Sequence, residues 1–140
     1  MITSNTGILT RGERNNNPGN IDKNSIKWKG LAAVSVDIRF CTFITAAYGI
    51  RAIGKLITTY YRTYKLNTVA KIINRWAPSV ENNTGAYIAA VCNATNLTKD
   101  DLITVLTPII LMQLVKAIIT HENGRCIYTD TDITKALATK

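Results

Sequence analysis

From Thr45 onward the apolar residues of this chain fall at helical spacing, and that pattern limits it to a fold built mainly from helices. Ile50, Ile53, Leu56, Ile57, Tyr60, Tyr61 and Tyr64 form a core-facing stripe. Gly49 and Gly54 lie inside this helix, where each costs about 1 kcal/mol against Ala unless close packing requires it. Thr68 reads as the N-cap of a short helix with Val69, Ile72 and Ile73 inward, ending before Trp76-Ala77-Pro78. The polar loop Glu81-Asn82-Asn83-Thr84 caps a helix carrying Tyr87, Ile88 and Val91. Asn96 to Asp101 is read as the cap of a further helix, with Asp100 and Asp101 in its first turn. Thr107-Pro108 opens the last long helix, striped by Leu111, Leu114, Val115, Ile118 and Ile119. One more step along that stripe reaches Glu122, and Gly124 is a stop signal.

Before Thr45 the period is lost. Residues 1–43 read as loops with short strands, at Val34-Ser35-Val36 and Arg39-Phe40-Cys41-Thr42-Phe43. The expected class is therefore α+β, mainly α. It is a single domain over residues 1–140 with a small strand-and-loop lobe over 11–43. Within that lobe, Asn15, Asn16, Asn17, Pro18, Gly19 and Asn20 are too many turn-forming residues for a slack connection. They predict a shaped polar loop of the kind that carries binding groups. Trp28, between Lys27 and Lys29, adds an aromatic face.

A chain of 140 residues buries a sizeable core without staples. Its net charge of +8 favours an anionic partner: nucleic acid, an anionic membrane surface or an acidic wall polymer. The cations are scattered and follow no nucleic-acid motif, so no nucleic acid is expected. Cys41, Cys92 and Cys126 have no ligand spacing and read as buried, reduced thiols. One His and no Cys/His cluster predict neither a metal nor a cofactor. His121 and Cys126 could form a nucleophilic pair, but helix-end and core placement explain both. The first seven residues lack a basic and an apolar region, so no signal peptide is expected. The run from Leu106 to Ile119 is too short and too polar for a transmembrane segment.

Glu122 is the residue of chemical interest. It ends a helix on the face that otherwise points inward. Desolvation and the negative end of the helix dipole both raise a carboxyl pKa, which suits a general acid near neutral pH. Its surroundings, His121-Glu122-Asn123-Gly124 followed by Tyr128-Thr129-Asp130, resemble the Glu-Gly…Tyr-x-Asp signature of phage-type lysozymes. Asn123 is an insertion relative to that signature. A second stretch, Asn16–Ile21, Trp28-Lys29-Gly30 and Arg39–Phe43, resembles the segment that follows the catalytic Glu in cell-wall glucosaminidases. There the catalytic helix precedes the turn, so the helix ending at Glu122 would stand in for it in permuted order.

The chain from about residue 11 to 133 is also similar to a family of small phage-encoded proteins. Its blocks match Arg11–Ile21, Gly49-Ile50-Arg51-Ala52, Asn74–Pro78 with Glu81, Asn82, Thr84 and Tyr87, and His121–Gly124. This resemblance implies a lysozyme-like, peptidoglycan-degrading fold, delivered to the wall by a holin or a virion and acting as a monomer on glycan strands. Asn15, Asn16, Asn17, Asn20, Trp28 and Tyr128 would contact the substrate. Asp130 and Asp22 are candidates for a second carboxylate. Glu13 is the rival acid, because Glu13 with Asn17-Pro18 resembles the Glu-Ser-x-x-Asn-Pro motif of soluble lytic transglycosylases. Against it, Arg11 and Arg14 would lower its pKa. The competing reading is a non-enzymatic phage structural or wall-binding module.

Overall fold

A computed structural model describes residues 8–140, so the residues read for a signal peptide lie outside it. Among the described residues six helices follow in order: α1 (Arg11–Arg14), α2 (Ala46–Arg62), α3 (Val69–Trp76), α4 (Thr84–Thr95), α5 (Pro108–Asn123) and α6 (Asp130–Ala138). Local chemistry explains their starts. Thr45, Thr68, Asn83 and Thr107 each accept a backbone N–H in the first turn of α2 to α5, and Pro108 opens α5. Gly124 ends α5 with φ 72°, the left-handed conformation that glycine adopts without strain.

α5 is the central element, packed against α4, α6, α2 and α1. Ile50, Ile53, Ile57, Ile72, Ile73, Tyr87, Leu114, Ile118, Ile119 and Ile133 form the closed core. Burying each such aliphatic side chain is worth at most about 1.5–3 kcal/mol. The two glycines of α2 are there for contact. A Cβ on Gly49 would stand 2.0 Å from the Asn16 carbonyl oxygen, and one on Gly54 2.4 Å from Leu137 Cδ2.

Two expectations need correction. The strands of the 11–43 segment reduce to two isolated antiparallel bridges, Asp22 with Phe40 and Leu31 with Phe43. Side chains have taken the backbone groups that a ladder would use. Asn17 bonds Ile21 N, Ile21 O and Cys41 O; Thr42 Oγ1 accepts from Val36 N; Asp37 accepts from Arg39 N and Phe40 N. The second correction concerns residues 96–106, which contain no helix. Asp101 accepts from Thr98 N to close a turn, and Ile103 is pegged by Asn67 O and the Tyr61 hydroxyl. Beyond Gly124, the short helix α6 opens with a capping box between Thr129 and Asp132.

Cys41, Cys92 and Cys126 are unpaired, and burial pushes each thiol's pKa up. Among the described residues no helix is long and apolar enough to cross a membrane.

Candidate active site

The polar segment after Thr10 folds first upon itself. Thr10 and Glu13 form a reciprocal capping box around α1, the single helical turn Arg11–Arg14. Asn16 and Asn20 take positive φ, 51° and 50°, which Asn tolerates better than most residues. Asn17 is fully buried as the bracket for Ile21 and Cys41. The segment then docks on the C-terminal end of α5. Asn123 accepts from the Thr10 hydroxyl at 2.7 Å and donates to Pro18 O and Ile119 O, both at 2.8 Å. Arg125 reaches back to Glu13 with two hydrogen bonds, Nη2 to Oε1 and Nε to Oε2. The intervening Asn123 and the following Arg125 are therefore the clamp for the whole segment.

This docking brings Asn20 to Glu122. Asn20 Nδ2 donates to Glu122 Oε1 at 2.9 Å, and the Tyr87 hydroxyl of α4 donates to Oε2 at 2.8 Å. Burial, then the neighbouring Glu122 charge, pushes the Tyr87 phenol far up, so it remains a donor throughout the working range. His121 stacks on Tyr87 at 3.8 Å between centroids.

Glu122 lines a cleft of about 380 Å³. One wall is Gly19–Asp22 with Arg39 and Phe40; the other is Trp76–Pro78 with Glu81 and Asn82; Leu56 and Tyr60 complete it. Arg39 joins the walls, binding Asp22 at 2.7 Å and Glu81 at 3.2 Å. The cleft thus holds three carboxyl groups, a cation and the aromatic side chains of Phe40, Tyr60 and Trp76. Among the described residues no group of three or more His, Cys, Asp or Glu is placed to hold a metal ion.

Of the residues singled out in the sequence, Glu122, Asn20 and Asp22 meet at this cleft. The others serve elsewhere. Asn15 is buried between Asp37 and Thr42, and Asn16 donates to Phe43 O. Trp28 is half-buried against the core with its Nε1 unpartnered and does not line the cleft. Tyr128 lines a separate hollow beside α2 and α6, its phenol pushed up to about 12 by burial and then by Glu13. Asp130 pairs with Lys116 Nζ at 2.7 Å over another surface hollow and does not share the Glu122 cleft. Glu13 is buried and also absent from the cleft. Its pKa is lowered as expected, but by Arg125, while burial opposes the shift. Arg11 is engaged by Asp37, and Arg14 donates to Leu9 O. Tyr87, Tyr60, Trp76, Arg39 and Glu81 line the site or orient its acid, whereas the sequence pattern assigned them to core, helix end, strand or loop.

The sequence of protein P5 of Pseudoalteromonas phage PM2 is 38% identical over 138 residues, covering 96% of this chain and 84% of that protein. The chain belongs to the phage protein P5 family. No family model matches it. The phage setting expected from the recurrent blocks is supported by this relative.

Proposed function

We propose that this member of the P5 family cleaves peptidoglycan glycan strands through a lysozyme-like helical domain, with Glu122 as the general acid. The observation that carries the reading is the position of Glu122: at the end of α5, on an aromatic-lined cleft that it shares with Asp22 and Glu81. Positioned carboxyl groups contribute about 10²–10⁴-fold as acids or bases. Glu122 would protonate the glycosidic oxygen, while Tyr60 and Trp76 offer apolar faces to sugar rings. Asp22 or Glu81 would supply the second carboxylate if water is the nucleophile, since both share the cleft. If the sugar's own hydroxyl attacks, neither is required, and the product carries an internal anhydro ring instead of a reducing end.

A second reading, glycan binding without cleavage, is favoured by one observation. Asn20 and Tyr87 already satisfy both oxygens of Glu122, and Arg39 already pairs both other acids. A zymogram on purified cell wall with wild type and Glu122→Gln separates the two. Clearing by wild type that falls at least about 100-fold in the variant supports the enzyme. Wall pull-down without clearing by either protein supports the binding module.

A further inference from the structure

Glu122 does not sit at the end of its cleft. On its other side a second hollow of about 280 Å³ is lined by Asn82, Asn83, Ala86, Tyr87, His121 and Glu122. The two hollows share Asn82 and Glu122, so the carboxyl group stands at their junction. We propose that this second hollow is a sugar subsite, and that a glycan strand passes over Glu122 with units bound on both sides. The inference rests on the glycan reading above and deepens it.

The chemistry of the lining fits a neutral, hydroxyl- and amide-bearing ring. His121 is exposed, and one face of its imidazole lies on the buried Tyr87 ring at an interplanar angle of 29°. A ring backed in this way is held flat, leaving its outer face as a small platform for a sugar. Asn82 and Asn83 line the rim of the same hollow, both exposed, each with a side chain that already anchors its own loop: Asn82 donates to Pro78 O and Asn83 accepts from Ala86 N. The rim is therefore set before any ligand arrives, which limits the ordering cost of binding. Tyr87 links the two halves, because one residue backs the platform and orients the acid.

The test uses the full chain carrying Glu122→Gln, which removes turnover and leaves both hollows in place. Soluble β-1,4-linked N-acetylglucosamine oligomers of two to six units are the probe, followed by amide shifts and by calorimetry. Short oligomers should perturb the Tyr60 and Trp76 side alone. Longer ones should also perturb Ala86 and His121 and bind about 10-fold or more tightly. His121→Ala added to this background should abolish that gain with length while short oligomers bind as before. Silence at Ala86 and His121 with the longest oligomer, with affinity independent of length, overturns the subsite but leaves the glycan reading standing. Absence of binding by every oligomer overturns both.

Discussion

At Glu13 a single side chain carries opposite expectations for catalysis and for stability. It is buried, and its charge is met by Arg125, whose side chain is 36% exposed. Glu13→Gln removes the charge of one partner of that pair, while its amide oxygen can still accept from Thr10 N in the capping box. The loss should be about 2–4 kcal/mol, somewhat below the cost of breaking a fully enclosed pair because water reaches Arg125. The pH dependence has a definite sign. The folded-state pKa of Glu13 lies below its unfolded value, so its contribution is complete above the unfolded carboxyl range, about pH 4. It is lost as pH falls through the folded value. Urea unfolding at pH 7 and again near pH 3 should therefore show the difference between wild type and Glu13→Gln shrinking in acid. A constant difference would mean that the ion pair is not its source. Glu122→Gln makes the contrasting case: a change of at least about 100-fold in clearing with the fold retained. If Glu13→Gln abolishes lysis at matched folding while Glu122→Gln spares it, the assignment of the acid is wrong.

Among the elements, α2, α3, α4 and α5 were legible because stripe and cap agree in each. Thr45, Thr68 and Thr107 precede their helices at the positions the sequence suggests. The 11–43 segment was not legible as to pairing, since alternation in Val34–Val36 says nothing about Asn17 and Asp37 capturing the backbone first. The turn at Thr98–Asp101 has the composition of a helix cap and lacks only the helix. α6 had a signal, Thr129-x-x-Asp132 ahead of Ile133, Ala136 and Leu137, but nine residues give little period to read. Gly49 tests how closely α2 and the polar segment are matched. On helix propensity alone Gly49→Ala should stabilise by about 1 kcal/mol. A Cβ 2.0 Å from a backbone carbonyl cannot be accommodated by a side-chain shift, so the strain should win, with a net loss of about 1–3 kcal/mol. Thermal unfolding decides this directly, and a raised midpoint would show that the segment yields.

Across the whole molecule, the site exists because residues 102 positions apart, Asn20 and Glu122, are brought within hydrogen-bonding distance. No periodicity records such a juxtaposition, which is why the sequence pointed to Glu122 and Asn20 separately, while Tyr87 passed as core. The same scale governs the Arg39 link, where the N-terminal wall meets the loop before α4. Arg39, Asp22 and Glu81 are all more than half exposed, so the link should contribute under about 1 kcal/mol to folding. Its effect should appear in substrate entry. At high salt the Debye length falls to about 3 Å at 1 M, and an exposed pair of this kind is largely screened. Wild type should therefore bind or cleave a neutral oligosaccharide with a KM or Kd that changes between low and high salt. Arg39→Gln at low salt should already show the high-salt value, with its unfolding midpoint moved by only a few degrees. A neutral probe matters here, because the net charge of +8 would by itself make binding to an anionic wall fall with salt. Equal salt responses in wild type and Arg39→Gln would show that the link between the walls does not control entry to the cleft.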